Sequence, residues 1–223
     1  MSSEAAGLQQ SNKPAFSTEE GRVSLEALIH PIGLRELFDR YWEKEHFHIS
    51  RNEPGFYRPV FSLEDVDRWI AVSSRTSGEK LVVRSSQGQS ILRGMPGEVP
   101  LEGVYDGVGS GHSLILRGVH ESWPPLLPLI AVLEEAFSAR VNVNLYLSPP
   151  GSKVFARHVD YHDFFIFQLH GAKEWYLYDN DYLPMERLEY GPYPAHREGT
   201  TRQTPLRQQL RLEQGDLLYV PRG

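Results

Sequence analysis

His158 and Asp160 stand two residues apart, and on an extended strand such a pair projects from one face. An imidazole and a carboxylate that converge in this way are two of the three protein ligands of a 2-His-1-carboxylate Fe(II) site. The spacing alone is weak evidence: with nine histidines in 223 residues, chance supplies roughly 0.4 such pairs. A surface histidine and aspartate at the end of a loop is the competing reading. Lys173 opens a strand-like Lys-Glu-Trp-Tyr-Leu-Tyr run, where alternation sets it on the face of Trp175 and Leu177, toward an interior. A buried ammonium is costly unless paired, and the far carboxylate of a dicarboxylate ligand would pair it. With its head in water it is an ordinary lysine at a hairpin mouth. Asn144 and Tyr146 lie on the polar side of an alternating run, which meets solvent in many antiparallel sheets but points inward in a barrel that encloses a ligand. The residues alone leave both readings open.

The elements that must position these groups fall into two halves. Residues 1–21 are rich in Ser, Gln, Glu and Ala and read as a disordered tail. Residues 22–140 form a helical and mixed part. Leu34, Leu37, Phe38, Tyr41 and Trp42 follow the spacing of an amphipathic helix, and His46 to Ser50 reads as a short strand. Ser62 with Asp65 is a capping box that opens a second helix. Leu81 to Arg84 and Ser113 to Leu116 read as strands, separated by a Gly- and Ser-rich stretch with turns at Met95-Pro96-Gly97 and at Gly107 to Gly111. Pro124 and Pro125 introduce an apolar helix from Leu126 to Ala139. Residues 141–223 change character. Val141 to Ser148 alternates, Phe164 to Leu169 and Lys173 to Tyr178 are strand-like around a hairpin at His170-Gly171-Ala172, and Gln208 to Leu212 and Leu217 to Val220 flank a turn. This half reads as a β-sandwich or barrel with the helices packed outside it.

The bulk properties fit a folded protein. Hydrophobic residues are 40% and charged residues 23%, and the formal charge of −6 argues against a whole-chain electrostatic grip on nucleic acid while suiting basic protein partners. No cysteine is present, which excludes thiolate metal ligands and fits a cytoplasmic setting. No run of about 18 apolar residues suggests a membrane span. The Phe164, Phe165, Phe167 cluster reads as core, Arg202, Arg207 and Arg211 as solvated, and the glycines near Gly107 do not form a phosphate loop.

Four ordered motifs carry a family resemblance. They are Asn-Leu-Tyr-Leu-Ser-Pro-Pro-Gly-Ser from Asn144, then His158-Val-Asp160, then Phe-Ile-Phe-Gln-Leu-His-Gly-Ala-Lys-Glu-Trp ending at Trp175, then Gly-Asp-Leu-Leu-Tyr-Val-Pro-Arg-Gly ending at Gly223. Together with Tyr41-Trp42-Glu-Lys-Glu-His they resemble the JmjC cupins of the ribosomal oxygenase group over about Leu34 to Gly223. The resemblance implies a mainly β fold, a double-stranded β-helix with flanking N-terminal helices. It implies an Fe(II)- and 2-oxoglutarate-dependent oxygenase that uses O2 to hydroxylate a side chain of a protein, with a ribosomal protein as the substrate. RNA or a methylated lysine is a second substrate class, and a cupin-like binding domain without turnover is a third reading. In that family the residues matching His158 and Asp160 bind the metal, the one matching Lys173 holds the C5 carboxylate of 2-oxoglutarate, and those matching Asn144 and Tyr146 line its pocket. The family's second histidine ligand falls a few residues beyond the Pro-Arg-Gly turn, so the β-helix core is expected to be truncated before it. His162, about 13 Å along a strand from His158, is too far for comfortable convergence, and His170 and His196 read as ordinary loop histidines. The family also implies a nuclear location for a eukaryotic member and a homodimer formed through a region outside this chain.

Overall fold

The structure, a computed structural model, describes residues 23–72, 79–94, 98–155, 157, 158, 160, 162–179 and 205–223. The N-terminal tail, the Met95-Pro96-Gly97 turn, His196 and Arg202 lie outside the described residues. Helices α1 (Leu25–Ile29) and α2 (Leu34–Glu36) open the fold, and α2 runs directly into one π-helical stretch, Leu37–Tyr41. Strand β1 (Phe47–Ile49) and helix α3 (Glu64–Val72) follow, then β2 (Leu81–Arg84), β3 (Ser90–Gly94), helix α4 (Leu101–Gly109) and β4 (Ser113–Leu116). Helix α5 (Leu127–Phe137) enters through a 3-10 turn at Pro124–Leu126. Strands β5 (Leu145–Leu147), β6 (Phe164–Phe167), β7 (Lys173–Tyr178), β8 (Leu206–Leu212) and β9 (Leu217–Val220) complete it.

All strand pairs are antiparallel and form three sheets, ordered β1-β9-β6, β3-β2-β4-β5 and β7-β8. No closed barrel forms among the described residues. Successive strands nevertheless change sheet, as a jelly roll requires: β5, β6 and β7 lie in three different ones. The expected β6–β7 hairpin is therefore absent, and the turn at Gly171 (φ 61) carries the chain from one sheet to another. The reason is that β9 takes the β6 ladder and the turn before β9 extends it, with Gln168 N–H donating to Asp216 O and Gly215 N–H donating to Gln168 O.

Strand β9 serves two cores because its side chains alternate. Leu217 and Tyr219, both fully buried, join the large cluster with Leu81, Val83, Leu114, Leu116, Trp69 and the inner face of α5. Leu218 turns the other way and packs with Leu210, Leu212, Trp175 and Leu177. Asp216, at 1% exposure, stands at the head of β9. Its carboxylate accepts from His48 Nε2 at 3.0 Å, from the Arg51 amide at 3.0 Å and from the Glu213 amide at 2.9 Å. A carboxylate this buried is tolerable only with such partners.

Two elements differ from the sequence reading. The Gly- and Ser-rich stretch contains β3 and α4, and α4 holds glycines because it lies tight on the sheet. A Cβ on Gly107 would come within 2.7 Å of Val83 Cγ1. Helix propensity penalises glycine, whereas close packing demands it here. The run from Val141 forms a paired strand only at Leu145–Leu147, although Val141 and Val143 still face the core. Half of the Ser62–Asp65 box forms: the Asp65 carboxylate accepts from the Ser62 amide at 2.9 Å and its hydroxyl at 2.8 Å, while the Asp65 amide donates to the Ser62 carbonyl at 3.1 Å.

Gly215 has φ 97, and a Cβ there would lie 2.2 Å from the Glu53 carbonyl oxygen. Gly215→Ala is expected to lower stability by at least about 2 kcal/mol. Gly55→Ala, where nothing lies within 4 Å, should stay within about 0.5 kcal/mol. Urea denaturation midpoints of the two variants test the contrast.

Candidate metal centre and its pocket

Strand β5 presents the first pocket residues. It pairs with β4 through Leu114↔Leu147, Ile115↔Tyr146 and Leu116↔Leu145. Leu145 and Leu147 pack on the core, so alternation turns Tyr146 to the other face. Asn144, just before β5, accepts from the Gly118 amide at 3.1 Å through Oδ1. The Tyr146 ring is 42% exposed. Its phenol pKa is nonetheless raised, first by burial of the hydroxyl end and then by the Asp160 carboxylate, with an Asn144 hydrogen bond and Arg117 acting in the opposite direction. Tyr146 and Asp160 therefore face the same space.

His158 Nε2 and Asp160 Oδ2 lie 2.9 Å apart, with side chains 25% and 19% exposed. Two donor atoms each about 2.1 Å from a metal, at a right angle, stand about 3.0 Å apart. The pair is thus spaced for adjacent positions on one octahedral ion, and a hard carboxylate with an imidazole suits Fe(II) or Mn(II). The Phe155 ring packs edge-on against both Tyr146 (centroids 5.9 Å) and His158 (5.4 Å), and the Arg84 guanidinium lies 4.9 Å from its centre. Phe155 links Tyr146 to the His158–Asp160 pair. The backbone of Asp160 is fixed as well, its carbonyl accepting from the Gly223 amide at 2.8 Å.

Lys173 begins β7, whose inward residues alternate as expected, with Trp175 and Leu177 against the second core cluster. Its ammonium reaches Ser148 Oγ at 3.5 Å, a long contact. Burial lowers its pKa from the ordinary lysine value. Behind Ser148 lie Ser113 Oγ at 3.1 Å and, beyond it, Ser152 Oγ at 3.3 Å, and Ser113 is 1% exposed. The Ser113 hydroxyl donates to Ser148 and that of Ser152 donates to the Pro149 carbonyl at 2.8 Å, so the Ser148 hydroxyl is the one that can donate, beside the ammonium, to a carboxylate.

The sequence singled out His158, Asp160, Asn144, Tyr146 and Lys173. The structure joins the first four through the contacts described above and sets Lys173 beside Ser148. Phe155, Ser113 and Ser152 escaped the sequence reading. Ser148 to Ser152 is a Pro- and Gly-containing turn, so no periodicity flags Ser152 or the phenylalanine after it, and Ser113 was read only as a strand end. Among the described residues no group of three His, Asp or Glu side chains stands where one ion could be shared. His162 packs on the Phe164 ring and His170 is exposed, as ordinary loop histidines do.

Antiparallel strands that change sheet in succession give a mainly β fold of the jelly-roll type. Residues 127–223 match the JmjC domain family. Ribosomal oxygenase 1 of Danio rerio is 32% identical over 197 residues, 88% of this chain and 36% of that protein. Human ribosomal oxygenase 1 is 30% identical over 97% of this chain and 33% of its own length. The bifunctional lysine-specific demethylase and histidyl-hydroxylase NO66 of Drosophila mojavensis is 29% identical over 93% of this chain and 23% of its own length. The chain thus spans about a quarter to a third of these relatives. The fold matches Escherichia coli YcfD, a ribosomal oxygenase solved with cobalt and 2-oxoglutarate, with a TM-score of 0.59 and 21% identity, covering 86% of this chain and 46% of that one.

His158→Ala and Asp160→Ala are each expected to weaken Mn(II) binding at least about 100-fold, more than loss of a supporting contact would. Isothermal titration of variants matched for folded content measures it.

Proposed function

We propose that the chain is the metal- and cosubstrate-binding part of an Fe(II)- and 2-oxoglutarate-dependent oxygenase that hydroxylates a protein side chain. The approach of His158 Nε2 to Asp160 Oδ2 within 2.9 Å carries this reading. The names of the relatives support it, and they make a ribosomal protein the first substrate to test. Bound iron with 2-oxoglutarate and O2 supplies the oxidising chemistry, and the cosubstrate leaves as succinate and CO2. The chain's own residues bind and orient. His158 and Asp160 would hold the metal, and no third protein ligand stands beside them among the described residues. Lys173 and Ser148 pair with the distal carboxylate of the cosubstrate, with Ser113 and Ser152 supporting Ser148. Tyr146 and Asn144 form the wall beside Asp160, and Tyr146, a phenol that is neutral at physiological pH, can donate a hydrogen bond there. Phe155 fills the space between that wall and His158 and excludes water from it.

The decisive experiment supplies Fe(II), 2-oxoglutarate and O2 to this chain and to a form extended past Gly223, each with ribosomal proteins. Succinate release together with a mass gain of one oxygen atom on a substrate peptide is the expected outcome. Loss of a methylene from a methylated lysine would move the reading to demethylation, and oxidation of RNA would move it to nucleic acid. If neither form binds metal or consumes 2-oxoglutarate, the oxygenase reading is wrong.

Lys173 gives a pH dependence. Its pKa is lowered by burial, so the ammonium is lost at lower pH than on a free lysine. Affinity for 2-oxoglutarate is expected to fall as pH rises through that lowered value. Over the same window the ligand-free protein gains stability, because the unfolded lysine still holds a proton that the folded one has released. Lys173→Met should remove the pH dependence and weaken binding about 100-fold. Calorimetric titrations between neutral and alkaline pH check both.

A further inference from the structure

The Asp160 carboxylate can serve a metal only if the chain around it is held still, and two anchors do this. One is the Gly223 amide on the Asp160 carbonyl, 2.8 Å. The other lies three residues on, where Asp163 Oδ1 accepts from the Tyr219 hydroxyl at 2.6 Å. Both anchors belong to β9 or to the stretch directly after it. That stretch is gripped from its other side by Glu43. The Glu43 amide donates to the Tyr219 oxygen at 2.9 Å, and its carboxylate lies 3.1 Å from Arg222 Nη2. Glu43 is held in the left-handed region, φ 58, which is uncommon outside glycine and costs energy that the surrounding contacts must offset. The Tyr219 ring is fully buried and packs against Trp42, Phe47 and Phe165 with centroids 5.0 to 5.9 Å away. The hydroxyl therefore sits at a fixed point, donating to one partner and accepting from the other.

We propose that Tyr219 and Glu43 are positioning residues for the metal pair. Through Asp163 on one side and Arg222 and Gly223 on the other, they hold the Asp160 backbone so that its carboxylate stays beside His158. The inference rests on the metal reading given above and extends it to residues that touch neither metal nor cosubstrate. It differs from a simple packing role because the ring is not needed for it: the oxygen atom is. Tyr219→Phe keeps the ring and its stacking, and removes the donor to Asp163 and the acceptor for the Glu43 amide.

The test measures Mn(II) affinity at a temperature where every variant is folded, together with amide hydrogen exchange at Gly223. Tyr219→Phe is expected to bind Mn(II) about 10-fold more weakly, within the range for groups that orient a ligand, with faster exchange at Gly223. Asp163→Ala should behave alike and carries the test if Tyr219→Phe does not fold. Asp163→Asn retains an acceptor oxygen and should restore most of the parental affinity. A Tyr219→Phe protein with a lower unfolding midpoint but parental affinity and exchange would reduce the hydroxyl to a structural role and overturn the proposal. Parental affinity in Asp163→Ala would also overturn it. If neither this chain nor the form extended past Gly223 binds Mn(II), the oxygenase reading itself is wrong, and this inference falls with it.

Discussion

The buried carboxylate of Asp216 is the constraint on which the arrangement depends. Its three hydrogen bonds tie the head of β9 to β1 on one side and to the turn after β8 on the other, joining His48, Arg51 and Glu213. With that register fixed, β9 can lie between β1 and β6 and send alternate side chains into two cores. Position along β9 then determines everything at its far end. The Tyr219 hydroxyl meets Asp163, and the Gly223 amide meets Asp160. A slip of one residue would exchange the two faces. It would put Leu218 in the aromatic slot and Tyr219 against Leu210 and Leu212.

The site combines groups that would be unfavourable singly. Lys173 loses solvation, and its lowered pKa records that cost. The Ser148 hydroxyl at 3.5 Å is a poor substitute for water. Tyr146 faces a carboxylate that further disfavours its ionisation. Such tension is what a pocket awaiting an anion and a cation should display, since the ligands supply the missing partners. A surface built only for stability would have replaced Lys173 with an apolar residue beside Trp175 and Leu177.

Much of this was legible in the sequence because it rests on period-two alternation. The inward placement of Lys173, Trp175 and Leu177, the outward turn of Tyr146 from Leu145 and Leu147, and the core role of Phe165 and Phe167 all follow from it. Phe164 takes the opposite face, beside His162. What escaped depended on partners far away in the chain. Which strand β6 would pair with is decided by β9, not by its neighbour across Gly171. Helix α4 was hidden because its glycines answer to Val83 rather than to helix propensity. The metal pair stood out only when its motif was joined to three others, since His and Asp two apart recur by chance. Phe155 and Ser152 lie outside any strand, where spacing carries no directional information, and Ser113 is the first residue of β4 with nothing in its spacing to mark it.

His48 and Asp216 are 168 positions apart, and the hydrogen bond between them is among the contacts that hold β9 in place. Closing so long a loop is slow, and its entropy must be spent before the contacts it permits can repay it. The loop bearing Asp160 finds its anchors only after that closure. The pairing of His158 with Asp160 is consequently a late product of folding rather than its seed. For a protein emerging from the ribosome from the N-terminus onward, both anchors of the Asp160 loop form only once the chain has been made through Gly223.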